Sequence, residues 1–436
     1  MIFEKNKTAD ADNTPWVIGQ LFNLAIPADA ETLLADGCAF LTRAFQSAGT
    51  LAANNRVSQI ITAEEFVGGG TGKKLLLTVA YAVPASDLPE QLFIKFSRNF
   101  TNELADRARF MMISEANFAV LSRAPDFPVT VPRCLFADVE SSSGTGLIIT
   151  ECISYGHQGV EPFYPKCMDS VVPEPLEHYT TIVRALARLA GAHASGRLSP
   201  EFDKRFPYNP KRAGAMLTLG ATEEKLLERA GRMFDFIARY PRLVPGALCD
   251  EKFQQQFIAD LPALVAAEEK VRARLFANPA MIAFNHWNAN IDNCWFWRDA
   301  LGELQCGFLD WANAGPMSVA QSINGVLSGA DLSIWNQHLE ELLTTFITAF
   351  ARAGGPSLEL DELRLQVLLI VALSGVAYAM NAGIAIAREI ENLEGVQGAH
   401  DDCFRQHDNA RIQLHMMTRL LSVWQTHRLG DLIREL

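Results

Sequence analysis

The chain lacks the marks of several protein classes at once. Its eight cysteines (Cys38, Cys134, Cys152, Cys167, Cys249, Cys294, Cys306 and Cys403) are scattered, none forms a CxxC pair, and no HExxH run or zinc-type Cys/His spacing occurs. The opening residues MIFEKNKTADADNTPW have no apolar core of a secretory signal. Together these absences make a reducing, cytoplasmic setting the expectation. There is no long Lys/Arg run, and 38 basic against 50 acidic residues leave a net charge of −12, so nucleic acid is not an expected partner. Glycine and proline, 29 and 20 of 436 residues, stay near average usage and exclude collagen-like or linker-rich classes. Internal repeats and low-complexity tracts are missing too. What remains is 49% apolar, 20% charged and 9% aromatic, the make-up of a globular chain with two or three structural units and ample core.

One run, Val367 to Ala387, is long enough to span a bilayer. Ser374, Gly375, Tyr378, Asn381 and Gly383 interrupt it, and its flanks Arg364, Arg388 and Glu389 form no anchoring pattern. The expectation is a helix buried among other helices, with no stable membrane span.

Periodicity divides the rest. Ala28 to Phe45 reads as a helix with Asp29 near its start. From Ser58 the texture is that of strands: SQIITAEEF and LLLTVAYAV around a glycine cluster, then QLFIKF, a helix over Arg107 to Arg123, and the strands CLFADVE and GLIITECI. Beyond Tyr155 helical spacing prevails, interrupted at Met281 to Asp310 by short strands and broken near 353–357. This order predicts an α+β protein: an N-terminal helical extension (1–57), a small antiparallel lobe (58–153) and a large helical lobe (154–436). Ligand sites favour such junctions, so a nucleotide cleft between lobes is expected.

Three features could carry chemistry. The cluster Gly68, Gly69, Gly70, Thr71, Gly72 stops short of a P-loop, because Val67 stands at the first glycine position and Lys74 at the hydroxyl position. A glycine turn between strands can still lay N–H groups over phosphates, or be a plain hairpin. Lys95, in the apolar strand QLFIKF, either snorkels at a sheet edge or holds a phosphate, and Glu115 is a candidate partner. At 286–293 the run HWNANIDN precedes two short strands and then Asp310-Trp311. Asn293 and Asp310 offer hard oxygen ligands from separate segments, which suits a magnesium ion also held by substrate phosphates.

On these residues the chain resembles the aminoglycoside phosphotransferase and choline-kinase-like group of the protein-kinase-like fold, most closely its ecdysteroid-kinase-like branch. The family loop reads His-Gly-Asp-x-x-x-x-Asn and is followed by a hairpin and an Ile-Asp-Trp or similar; His286, Asn293 and Asp310-Trp311 match it, and the resemblance runs from about Ser58 onward. It implies a two-lobed fold and an ATP- and magnesium-dependent phosphotransferase. Lys95 would meet the α- and β-phosphates, Glu115 would orient it, and the turn at 68–72 would cover the phosphates. The backbone of Glu151 and Ile153 would meet adenine, Asn293 and Asp310 would hold magnesium, and His286 would brace the loop. His193, in LAGAHASG, is expected to be a packing residue.

Asn288 departs from the family, which has the catalytic aspartate there, and Trp287 replaces the family glycine. An amide oxygen accepts a hydrogen bond but takes no proton at neutral pH. General-base help is worth roughly 10²–10⁴-fold, whereas phosphoryl transfer rests mostly on positioning and charge neutralisation. Asp292 could supply a carboxylate by a rearranged loop, or cap that loop. The expected activity is therefore phosphorylation of a small, lipophilic hydroxylated metabolite, slowed by Asn288. The alternatives are a silent, pseudokinase-like binder of nucleotide or ligand, and different chemistry such as nucleotidyl transfer. Residues 154–170 and the helices from Glu223 to Phe276 are the expected wall of an acceptor pocket; composition leaves the oligomeric state open.

Overall fold

The structure is a computed structural model that describes residues 15–66, 68, 72–100, 106–215 and 217–436. Gly69, Gly70 and Thr71 of the glycine cluster lie outside the described residues. The architecture is α+β, and the chain divides into two compact units. The first comprises 1–158, 199–206 and 307–314; the second comprises 159–198, 207–306 and 315–436. These limits do not coincide with 57 and 153: the first unit takes in the chain before residue 58 and recovers the segment carrying Asp310.

The first unit is built on five antiparallel strands in the order β3-β4-β5-β7-β6, where β3 is Val57–Glu65, β4 Lys74–Tyr81, β5 Gln91–Phe96, β6 Cys134–Glu140 and β7 Thr145–Glu151. Strand side chains alternate between faces. One face sends Leu75, Leu77, Leu92, Ile94, Phe96, Leu147 and Ile149 into a core shared with Leu33, Phe40, Leu41 and Phe45 of the helix Ala30–Ser47. Asp29 caps that helix, its carboxylate accepting from Thr32 N at 2.8 Å. The other face packs Ala137, Val139 and Ile148 against Met112, Ala116 and Ala119 of the helix Met111–Leu121. Lys95 falls between Ile94 and Phe96 and so belongs to this second face. A short pair, β1 (Trp16–Ile18) and β2 (Ala25–Pro27), was not expected from the sequence; three residues are too few for a strand period to register.

The second unit is mainly helical, with Pro175–Ala194, Glu223–Arg239, Glu251–Ala277, Leu339–Arg352, Leu360–Ala379 and Asp408–Thr426 as its long members. A strand pair, β8 (Ile282–Asn285) and β11 (Gly315–Ser318), brackets the loop region, and β9 (Cys294–Arg298) and β10 (Leu304–Phe308) form the expected hairpin between them. β11 corrects the expectation that the chain beyond Asp310 is helical up to the break near 353–357. The run Val367 to Ala387 is two helices, because Leu360–Ala379 ends at Met380 and Ala382–Glu389 begins anew. The first is long and apolar enough to cross a membrane, yet 67% of its most apolar stretch is buried within the structure. Among the described residues all eight cysteines are free.

Candidate functional site

In the first unit, register fixes the site before any side chain is considered. β4 and β5 place Lys74 directly opposite Lys95, and β5 and β7 place Lys95 opposite Ile148. The Lys95 ammonium contacts both oxygens of Glu115, at 3.0 and 2.8 Å, and Asp310 Oδ1 at 3.1 Å. Twenty and 215 residues separate these partners from Lys95 along the chain. Burial by itself would lower the Lys95 pKa, but the carboxylates of Glu115 and Asp310 outweigh it and hold the ammonium above its ordinary range. Burial pushes Glu115 upward while Lys95 opposes it; with both oxygens in contact, the ion pair is the form the geometry supports.

Asp310 is delivered by the segment 307–314, which is tied to the sheet unit at several points. Phe308 N donates to Thr130 O at 3.0 Å. Trp311 stacks on Phe118 with ring centroids 3.8 Å apart, and its Nε1 donates to Phe308 O at 3.1 Å. Ser114 Oγ donates to Ala314 O at 3.1 Å. Asp310 itself has φ +57°, a left-handed conformation that Asp tolerates better than bulkier residues, and 47% of its side chain stays exposed.

At the glycine turn, Gly72 has φ +62°, and a Cβ there would lie 1.7 Å from Phe96 O; no side chain fits. Gly72 is therefore pressed against the end of β5, the strand that carries Lys95. Glu151 ends β7, its N–H donating to Arg133 O at 3.0 Å while its carboxylate accepts from Arg133 N at 2.8 Å. Ile153 follows, its carbonyl accepting from Tyr155 N at 3.1 Å.

The loop at 286–293 belongs to the second unit. His286 is fully buried; its Nδ1 accepts from Asn288 N at 3.1 Å, which leaves the ring proton on Nε2, and Ser322 Oγ donates to its carbonyl at 3.0 Å. Asn293 Nδ2 donates to Asn288 O at 2.8 Å, a bond that does not use its side-chain oxygen. Asn288 Oδ1 accepts from Asn290 Nδ2 and, at 3.5 Å, from Lys166 Nζ. Asn290 is itself buried and accepts from Ser328 Oγ at 2.9 Å. Burial raises the pKa of Cys167, Tyr179 and Cys294, and the charge of Asp292 adds a smaller push in the same direction. Gly325, in the helix Val319–Leu327, explains the loop's fixed height: a Cβ there would sit 1.9 Å from Trp287 O. His193 packs with its ring centroid 6.2 Å from that of Phe284.

Lys95, Glu115 and Asp310 thus meet in the first unit, while His286, Asn288, Asp292 and Asn293 lie on one loop of the second. Sequence reasoning missed Lys74, Lys166 and Asn290. Lys74 is the wrong residue for a P-loop, and its pairing with Lys95 is set by a strand register that the sequence does not display. Lys166 lies outside any motif. The second unit also holds a cavity of about 1030 Å³, whose lining includes Cys167, Asp169, Gly329, Asp331, Arg411 and His415. Residues 167–170 and 242–245 line it, so the expected wall contributes one stretch directly and another through the connector between its helices.

A metal ion can be tested against the donor set. No group of three or more His, Cys, Asp or Glu side chains that could hold a metal occurs among the described residues. Asp310, a half-exposed carboxylate of the first unit, and Asn293, an amide of the second, each offer a hard oxygen of the kind magnesium takes.

No protein-family model matches the chain, and no curated protein sequence matches it. Solved structures do show similarity. A choline kinase from Cryptosporidium parvum Iowa II is 12% identical, with a TM-score of 0.42 over 86% of this chain and 90% of that one. A choline/ethanolamine kinase family protein from Mesorhizobium loti is 15% identical, with a TM-score of 0.39 over 90% and 98%. The GDP complex of wild-type aminoglycoside 2'-phosphotransferase-IIIa is 13% identical, with a TM-score of 0.39 over 84% and 93%.

Proposed function

We propose that the chain is a small-molecule phosphotransferase that uses magnesium-ATP and a hydroxylated acceptor. The observation that carries this reading is the buried Lys95 ammonium, gripped by Glu115 and by Asp310 from a segment 215 residues away. A lysine held at full charge in a sheet, with one carboxylate fixed and the other half exposed, is built to meet an anion. Lys95 binds the nucleotide's phosphates and Glu115 keeps its ammonium pointed at them. Asp310 and Asn293 are the residues that would hold magnesium, which supplies charge neutralisation when bound. The Gly72 turn keeps the backbone close above β5, where N–H groups can line phosphates. The cavity of about 1030 Å³, with its mixed apolar and polar lining, is the acceptor site in this reading, and an amphipathic or lipophilic alcohol suits it.

A second reading, a silent nucleotide-binding protein, has its own observation. The Asn288 side chain takes no proton, and its oxygen is engaged by Asn290 and by Lys166, so no carboxylate base stands at that position. The two readings part in one experiment. Magnesium-ATP should raise the melting temperature under both, by mass action. Steady ADP production dependent on an added alcohol, abolished in Asp310→Ala, belongs to the first alone. Nucleotide binding with no alcohol-dependent ADP across a broad panel of hydroxyl compounds, and none restored by Asn288→Asp, would leave the second.

A further inference from the structure

Two lysines, not one, stand on the side of the sheet that packs against the helix Met111–Leu121. Residues directly opposite each other in an antiparallel pair share a face, and Lys74 is directly opposite Lys95. Both are 8% exposed. Like charges at such positions repel, and burial makes the repulsion costlier. Burial, and then the charge of Lys95, hold the Lys74 ammonium below its ordinary pKa, with Asp310 and Glu115 offsetting only part of this. Lys74 Nζ lies 3.4 Å from Gly72 O, at the foot of the turn that cannot accept a side chain. Two ammoniums at directly opposed, buried positions of one hairpin make a strongly cationic spot, which suits a polyanion.

We infer that Lys74 is a second phosphate-binding cation, which together with Lys95 makes this site selective for di- and triphosphates over monophosphates. The inference rests on the nucleotide reading above. Its test is calorimetric titration of the full chain with magnesium-ADP, AMP and pyrophosphate, for the wild type, Lys74→Met, Lys74→Gln and Lys74→Arg. Loss of one charge-assisted contact predicts about a tenfold or greater weakening of ADP in the Met and Gln variants, with AMP little changed. The Arg variant should recover most of the ADP affinity. A purely structural lysine would weaken ADP and AMP alike, and the unliganded Met variant would melt earlier than wild type; here it should melt no earlier. Equal ADP affinity in wild type and both neutral variants overturns the role of Lys74 and leaves the nucleotide reading standing. If wild type binds no ADP, the nucleotide reading falls. Pyrophosphate then decides the remainder: Lys74-dependent binding keeps a polyanion site, and no binding removes it.

Discussion

Lys95 and Asp169 show how far a single side chain's surroundings decide its chemistry. Lys95 has two carboxylates, so removing one leaves a buried ammonium half compensated. Glu115→Gln should cost about 3 kcal/mol, the lower part of the range for a broken buried pair, because Asp310 remains. Urea unfolding of the unliganded protein checks this, and a change below about 0.5 kcal/mol would contradict the burial argument. Asp169 is the reverse case, a carboxyl pushed up to about 6 by burial, although Asp331 N and the Tyr179 hydroxyl donate to it. Its folded-state pKa is raised above the unfolded one, so the stability it lends is complete below about pH 4 and is lost as pH rises through about 6. The loss is on the order of 2–3 kcal/mol. Asp169→Asn should flatten that part of the stability profile, and an unchanged slope between pH 4 and 6 would show that other groups produce it. Lys95 stands out in the sequence as a charged residue in an apolar strand, whereas Glu115 and Asp310 are legible chiefly through the family resemblance. Lys74 did not stand out, because its meaning comes from register across a hairpin.

Helices and strands were legible in proportion to their length. The helix Ala30–Ser47 and the strands β3 to β7 carry clear periods, and each lies within a few residues of its expected bounds. The helix expected over 107–123 is shorter, Met111–Leu121, because the residues before it turn without completing a helical ladder. β11 was invisible: GPMS has no alternation, and it is a strand only because β8 is there to pair with it. Packing between elements was not legible at all. The helix Val319–Leu327 rests on the loop backbone through Gly325, so Gly325→Ala must either lift Trp287 or bend the helix. Overpacking of this kind costs about 1–3 kcal/mol. A lowered melting temperature with altered Trp287 fluorescence is the expected result; wild-type values for both would mean the loop yields freely.

At the level of the whole chain, the sequence foretold the class and much of the order of elements, but not that the sheet unit is discontinuous. Two segments, 199–206 and 307–314, return to it from within the chain of the helical unit. Phe202 stacks on Phe127, and Trp311 on Phe118, so both returns are packed and not merely adjacent. A fragment ending at residue 158 would therefore lack Asp310 and both aromatic supports. It should show strand signal in circular dichroism but poor dispersion of amide resonances, whereas the full chain should be well dispersed; a well-dispersed fragment would show that the returning segments are dispensable.

The path of residues 307–314 also sets an order of events during synthesis. A ribosome that has finished β7 still has some 150 residues to add before Asp310 emerges, roughly ten to thirty seconds at ordinary elongation rates. Through that interval neither the Asp310 carboxylate nor the Trp311 indole is yet there for Lys95 and Phe118 to meet. The newborn first half is thus an unfinished surface, and the time it spends exposed to chaperones or to other nascent chains is written into the distance between residues 151 and 310.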